Sequence, residues 1–505
     1  MPRPVQPTAQ AAPAQDARSD LNGDGEADLV VAGDEYRPRY NVPTWTLTVV
    51  YGSSKGLSRR ANELWRETDF ASGKPTRGQI TGLATGDFDG DGFDDVAVGT
   101  DVLDESEDLS KERIGEVRIL FGSRTGVASS RSQVLGPQTD DGRLPVVDDD
   151  PSFGMVLAVA DLGRGTQDDL AIGSPWAASG AGQVTVVYGS RAGLSWAGRQ
   201  VWTQDVIGVP GSSAHSDAFG SALVAADFGN GAHADLAIGV PGDGTTARRP
   251  GAVNVLYGSS TGVTAVGAQV WSQASPGVKG KATAEEQFGA SLAAGHFAGR
   301  RTADLAVGVP YGADAGQYAG EVNILHGSKA GITARGDQLW TRRSRGLAGR
   351  KYLDSSFGAT LVAGNFGKDR GRHRFDDLAV AAWYEKDLNG SSWSSGAVEV
   401  LYGTSRGLAS RGSQVWRLST PGIKGTTDKL NGDGFAGDMR ASDFGKSRYA
   451  DLAVADDLME VDSQHYGAVS VIYGSARGLR ARGDQLLSAP RLGRPDTDFW
   501  ASALG

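Results

Sequence analysis

The chain has 505 residues, 39% of them hydrophobic and 22% charged, so it holds material for a large packed core and is not a disordered chain. Its formal charge of −10 excludes non-specific nucleic-acid binding, which needs clustered Lys and Arg. Cysteine is absent, which removes disulfides, thiolate metal sites and thiol nucleophiles, and no apolar run approaches the roughly 18 residues that a membrane-spanning helix needs. The 73 glycines are scattered along the chain, the pattern of an all-β protein with many tight turns.

Residues 1–15 are rich in Pro, Ala and Gln and lack the apolar segment of an export signal. They read as a flexible leader, either what remains after removal of a signal or the start of a cytosolic chain. From residue 16 to 505 one unit is written seven times. An apolar strand preceded by Asp begins at Asp28, Asp95, Asp169, Asp235, Asp304, Asp377 and Asp451, at spacings of 66 to 74 residues. A second strand ends at Tyr51-Gly52, Phe121-Gly122, Tyr188-Gly189, Tyr257-Gly258, His326-Gly327, Tyr402-Gly403 and Tyr473-Gly474. Phe-Gly opens the unit at Phe153, Phe219, Phe288 and Phe357, with a degenerate copy at Phe435-Ala436-Gly437, and Gln-x-Trp closes it at Trp202, Trp271, Trp340 and Trp416. Four short strands per unit at a fixed period predict propeller blades, whose radial repetition protects the sheet edges. The first unit lacks its opening strand, while the tail Phe499-Trp-Ala-Ser-Ala-Leu-Gly505 matches Phe288-Gly-Ala-Ser-Leu292. The tail therefore either completes the first blade or begins a truncated eighth.

Two loops carry a dense oxygen-ligand pattern. Asp20, Asn22, Asp24 and Asp28 stand at positions 1, 3, 5 and 9 of one; Asp87, Asp89, Asp91 and Asp95 stand at the same positions of the other. Gly at position 6 permits the turn, and the backbone carbonyls of Glu26 and Phe93 at position 7 can add a ligand. Hard oxygen donors with this many carboxylates point to two Ca²⁺ ions. The loops beginning at Asp161, Asp227, His296, Asn365 and Asp443 lose the middle ligands and are expected to hold no metal. Asp428 to Gly434 has the wrong spacing and reads as a surface loop.

The runs Phe288-Gly289 to Val309-Pro310, with Gly239-Val240-Pro241 and Gly173-Ser174-Pro175, resemble the FG-GAP repeat of integrin α-chain headpieces and related bacterial secreted proteins. The resemblance implies an all-β, seven-bladed propeller of FG-GAP repeats, structural calcium, an extracellular location, and a ligand face opposite the calcium loops. The recurrent Trp65, Trp202, Trp271, Trp340 and Trp416 are assigned to blade packing. Aromatic residues that do not recur, Trp45, Trp176, Tyr311, Trp383, Tyr384, Trp393 and Tyr466, are the candidate ligand contacts, because exposed rings with a polar edge suit sugars or a protein partner.

Acidic groups also gather in the connections, at Asp101, Asp104, Glu105, Glu107 and Asp108 and at Asp148, Asp149 and Asp150. An enzyme would pair these carboxylates, or His215 and His465, across the central cup. No G-x-S-x-G or H-E-x-x-H motif accompanies them. The sequence thus points to a monomeric extracellular binding module for a carbohydrate or a protein partner. Its alternatives are a secreted polysaccharide lyase or glycoside hydrolase, and a structural subunit of a surface or toxin assembly.

Overall fold

The computed structural model describes residues 19–505 apart from 38–41, 70–77, 104–112, 128–130, 137–151, 245–248, 300, 314–318, 350–354, 369–374, 387–393, 426–433, 446, 463–464 and 494–498. Four-stranded antiparallel units follow one another around a ring. Blade 2 comprises Gln79–Gly86, Asp95–Leu103, Arg113–Leu120 and Ser132–Leu135, from the inner strand to the outer. Blade 3 is Val156–Ala160, Asp169–Ser174, Gln183–Tyr188 and Ser195–Trp202. Blade 4 is Ala222–Ala226, Asp235–Val240, Ala252–Tyr257 and Thr264–Trp271, and blade 5 is Ser291–Gly295, Asp304–Val309, Glu321–Ser328 and Gly331–Thr341. Blade 6 is Leu361–Gly364, Asp377–Lys386, Ser394–Tyr402 and Ala409–Trp416. Blade 7 is Met439–Ser442, Asp451–Asp462, His465–Tyr473 and Arg480–Leu487.

Blade 1 is assembled from both ends of the described chain. Leu29–Arg37, Val42–Val50 and Asn62–Arg66 take their inner strand from Phe499–Leu504, which pairs antiparallel with Leu29–Arg37. Seven blades therefore close one ring among the described residues. The register differs by one residue from the sequence alignment. Leu504 lies opposite Val31 as Met439 lies opposite Val454, so Trp500-Ala501, not Phe499-Trp500, takes the Phe-Gly place. The reason is local: Trp500 is buried like the opening phenylalanines, and Ala501 holds the left-handed φ of +69° that Gly220 and Gly289 hold at +93° and +90°. Asp438 of blade 7 seals the seam, its buried carboxylate accepting the Leu504 N–H at 2.9 Å.

The strand pattern follows from position in the ring. The second strand of blades 3, 4 and 5 is buried along its whole length, because another blade lies against each face of the sheet. The outer strand of blade 3 alternates exposed and covered residues as an edge strand does. Among the described residues helix is confined to one irregular turn, Ala177–Gly180, and two short 3₁₀ turns.

Three sets of hydrogen bonds repeat with the blades. The Asp that begins each second strand is no more than 1% exposed, and one of its oxygens accepts the N–H of the second residue of the preceding loop (Leu21, Phe88, Leu162, Phe228, Phe366 and Phe444) or, in blade 5, of the third (Ala298). Its other oxygen accepts the N–H of the glycine that ends the third strand (Gly52, Gly122, Gly189, Gly258, Gly327, Gly403 and Gly474). Next, the residue before each of these aspartates donates its N–H to the first carbonyl of the previous blade's loop. The pairs run Asp94 to Asp20, Asp168 to Asp87, Ala234 to Asp161, Ala303 to Asp227, Asp376 to His296, Ala450 to Asn365 and Ala27 to Asp443, at 2.7–3.3 Å. They form a closed belt.

The third set belongs to the glutamine of Gln-x-Trp and its counterparts. Nε2 of Gln133, Gln200, Gln269, Gln338, Gln414 and Gln485 donates to a carbonyl of the following blade (Leu194, Val263, Ile332, Leu408, Leu479 and Leu57). In blades 3 and 6 the tyrosine hydroxyl accepts the N–H beside that carbonyl, as from Val263 to Tyr188 and Leu479 to Tyr402. Where Phe121 or His326 replaces the tyrosine, glutamine Oε1 accepts that N–H itself, from Leu194 and Leu408.

Removing one pin exposes its worth. Asp235→Ala strips two buried N–H groups, of Phe228 and Gly258, of their acceptor and is expected to lower stability by about 2–5 kcal/mol. Urea unfolding measures it, and a loss under about 1 kcal/mol would show that water replaces the carboxylate.

Candidate metal centre

Strands alternate in direction, so the loops after the first and third strands of every blade share one face, and the loops after the second and fourth share the other. The two acidic loops lie on the first face. Each is wound by glycines at positions 4 and 6 with left-handed φ, +71° and +86° at Gly23 and Gly25, +73° and +88° at Gly90 and Gly92. In the first loop Asp20 accepts the N–H groups of Asp24 and Gly25, Asn22 that of Asp24, and Asp24 that of Glu26. In the second, Asp87 accepts those of Gly90, Asp91 and Gly92, Asp89 that of Asp91, and Asp91 that of Phe93. The loops touch, for the Phe93 ring lies over Gly23, where a Cβ would come within 2.5 Å of it.

The structure brings oxygens of Asp87, Asp89 and Asp95 within 4.8 Å of one another, a hard-oxygen set that fits a divalent cation. Asp24 and Asp91 are exposed, and Asn22 and Glu26 half-buried. Burial, then the neighbouring carboxylates, pushes Asp91 above the usual carboxylate range. Asp28 and Asp95 are each raised to about 8, chiefly by burial, although two backbone N–H groups pull them down. Both oxygens of Asp28 and Asp95 already hold backbone N–H groups, as in the five loops without middle ligands. The recurrence of the ninth residue in all seven loops thus comes from the pin, and positions 1, 3 and 5 are what set these two loops apart. Arg131, from just before blade 2's outer strand, also serves this loop: its guanidinium is 2.5 Å from Asp89 and 3.9 Å from Asp91, over the Phe121 ring.

The other loops contain a feature that the sequence reading missed. At position 4 Arg164 donates to the carbonyls of Thr261 and Gly198 and lies 4.0 Å over the Tyr188 ring. Lys368, at the same position in blade 6, donates to the Gly412 carbonyl and lies 3.8 Å over Tyr402. The signal was available as a basic residue four places into a loop that had lost its acids.

On the opposite face, two of the five candidate aromatic residues whose side chains are described present a large exposed ring. Trp176 and Tyr311, in the loops after the second strands of blades 3 and 5, are 40% and 38% exposed. Their backbones are fixed, Trp176 N–H to Ser152 Oγ and Tyr311 N–H to the Glu286 carbonyl. Trp45 is not a surface residue: it sits within the third strand of blade 1, 3% exposed, packed in the core. Trp383 is likewise in a strand, packed against the core of blades 6 and 7 with Nε1 donating to the Ala436 carbonyl, so it joins blades. Tyr466 is half-buried opposite Glu460. The Tyr384 side chain and Trp393 lie outside the described residues, as do Asp104, Glu105, Glu107, Asp108, the Asp148 to Asp150 group, the His465 side chain and most of the 428–434 stretch. Asp101 is buried and caps the Gln79 N–H. His215 Nδ1 is 2.6 Å from the hydroxyl of its neighbour Ser216.

Residues 20–98 match the FG-GAP-like repeat, and residues 80–117 match the FG-GAP repeat. Blades 1 and 2 thus carry FG-GAP repeats. Among curated relatives, the phosphatidylinositol-glycan-specific phospholipase D of Bos taurus is 32% identical over 184 residues, 36% of this chain and 21% of that protein. The Homo sapiens protein of the same name is 31% identical over 179 residues, 35% of this chain and 20% of that one. The chain thus matches about a fifth of the length of these relatives. Among solved structures, the rhamnogalacturonan lyase of Bacillus licheniformis is 10% identical, with a TM-score of 0.32, over 88% of this chain and 85% of that one. No helix among the described residues is long and apolar enough to cross a membrane.

Trp45 and Trp176, with opposite surroundings, make a direct comparison. Trp45→Ala is expected to cost about 3–5 kcal/mol of stability. Trp176→Ala should stay within about 0.5 kcal/mol, the range of surface changes. Thermal melting of both variants checks the assignment, and equal losses would contradict it.

Proposed function

We propose that the chain is an extracellular, calcium-stabilised binding module whose ligand face bears Trp176 and Tyr311 and recognises a carbohydrate, as a lectin does, or a protein partner. The observation that carries this reading is the pair of exposed rings, held by backbone hydrogen bonds on a rigid closed scaffold. Exposed aromatic rings supply apolar contact to a sugar face at low entropic cost, while nearby hydroxyls and amides set orientation.

Calcium enters as a structural ion. Asp20, Asn22, Asp24 and Asp28 would hold one, and Asp87, Asp89, Asp91 and Asp95 the other, with the Glu26 and Phe93 carbonyls completing the sets. An ion that binds only the folded loop stabilises the fold by mass action, about 2.7 kcal/mol at a hundredfold excess over Kd. Because the first carbonyl of each acidic loop also belongs to the belt, ordering these loops stiffens the contacts between blades 1 and 2 and between blades 2 and 3.

Differential scanning calorimetry should show a higher melting temperature with calcium than with EDTA, and Asp24→Ala with Asp91→Ala should abolish the difference; an unchanged wild-type melt in EDTA removes calcium from the account. A glycan array in the presence of calcium tests the ligand face. Binding lost in Trp176→Ala and Tyr311→Ala supports it. Turnover of a bound glycan, or binding indifferent to both substitutions, overturns it.

A further inference from the structure

On the face of the acidic loops, between blades 4 and 5, lies a groove of about 1090 Å³. Its walls include Asp227 and Asn230 from the blade 4 loop, Arg301 and Thr302 from the blade 5 loop, and Lys329 and Arg335 from the third-strand turn and outer strand of blade 5. We infer that this groove binds an acidic oligosaccharide, a glycan whose sugars carry carboxylates.

Short residues at one loop position leave this groove open. In blade 3 the corresponding space is filled by Arg164, which spans from its loop to the turn of the next blade. In blade 6 Lys368 lies against its own outer strand in the same way. Blade 4 has Asn230 at this position, with φ +70° against +71° for Arg164 and +65° for Lys368. The backbone is the same, and only the filling is missing.

The charge lining the groove runs against that of the whole chain. Formal charge is −10 overall, yet three cations face this space, and among the described residues no carboxylate lies within ion-pair distance of any of them. The single acid on the wall, Asp227, has one oxygen occupied by the Gly229 N–H. Guanidinium forks on Arg301 and Arg335 match a carboxylate in two-point geometry, while the Thr302 hydroxyl and the Asn230 amide can serve ring hydroxyls. The volume suits several sugar units rather than one small ion. No aromatic ring lines the groove, so it lacks the stacking platform on which single-stranded nucleic acid depends. Arg406, Arg411, Arg477, Arg480 and Arg482 continue exposed positive charge along the turns and outer strands of blades 6 and 7, a path for a longer polyanion. This site is on the face opposite Trp176 and Tyr311 and stands or falls apart from the ligand reading given for them.

Isothermal titration of the full chain with an oligogalacturonate tests the inference, with its methyl ester, inorganic phosphate and a single-stranded oligonucleotide as controls. Saturable binding of the acid form and none of the ester is expected. Asn230→Arg, which copies blade 3 at a backbone already suited to it, should fill the groove and weaken binding at least about tenfold. Lys329→Ala with Arg335→Ala should do the same without altering the melt, and Trp176→Ala should leave binding unchanged. The inference is overturned if the acid form fails to bind up to about 1 mM, about 4 kcal/mol of binding free energy. It is equally overturned if Asn230→Arg binds like the wild type, or if phosphate or the oligonucleotide competes as well as the sugar acid.

Discussion

A buried carboxylate that accepts two backbone hydrogen bonds fixes the geometry of every blade. It ties the loop before its own strand to the glycine that ends the next strand, so three strands acquire one register from one side chain. A neutral amide could not accept from two sides in this way, because one of its two ends is a donor. The residue just before the carboxylate donates to the neighbouring blade, so a loop held in shape by the pin is also held to its partner. Loss of a pin would therefore disturb two blades. The outer edge has an independent tie in the glutamines, whose amides can both donate and accept. Blade 1 has Glu63 in that place, whose carboxylate cannot donate to a carbonyl of blade 2; there the Val127 N–H meets the Tyr51 hydroxyl and Glu63.

Ring closure follows the same economy of parts. The Phe499–Leu504 strand is supplied from the far end of the chain, yet it is gripped by the contacts that any inner strand makes: the antiparallel pairing with Leu29–Arg37, the Trp500 side chain in the core, and the bond from Leu504 to Asp438. Further round the seam, Gln485 reaches from blade 7 to the Leu57 carbonyl of blade 1, and Ala27 donates to Asp443. The seam is thus bonded at its inner strand, its loop face and its outer edge. A propeller closed this way has no unpaired inner edge to offer to another chain.

The fold was legible because repetition multiplies weak signals: seven copies of Asp before an apolar strand outweigh any single propensity. Where a residue's role depends on its place within a repeat, sequence also served, as for the packing of Trp202 and Trp416. It served poorly for what does not repeat. Trp45 and Trp383 stand among the candidate ligand contacts because they do not recur, yet blade 1 and blade 6 have long strands that carry them into packed positions. The tail was placed one residue out of register because Phe499 imitates the opening phenylalanine, and only the backbone conformation of Ala501 distinguishes the two alignments. The glutamine staples were invisible for another reason. Their partners are backbone carbonyls, which have no sequence identity.

The loop face shows how one backbone shape is put to several uses. Position 4 of the loop is left-handed in every blade where it is described: Gly23 at +71°, Gly90 at +73°, Arg164 at +71°, Asn230 at +70°, Gly299 at +62° and Lys368 at +65°. Glycine adopts this conformation without strain, and asparagine does so more readily than most residues, whereas Arg and Lys must be held there by contacts. Arg164 and Lys368 have such contacts, an aromatic ring beneath and carbonyls beyond, and their charge stands where the loops of blades 1 and 2 concentrate carboxylates. Arg131, brought in from outside the loop, performs the same neutralisation beside Asp89. Blades 3 and 6 place a tethered cation over a ring, whereas the loops of blades 1 and 2 gather acids. Blade 4 does neither, since Asn230 is neutral and short, and the cations of blade 5 are left facing open space. What distinguishes one blade from the next on this face is therefore the side chain placed on a shared turn.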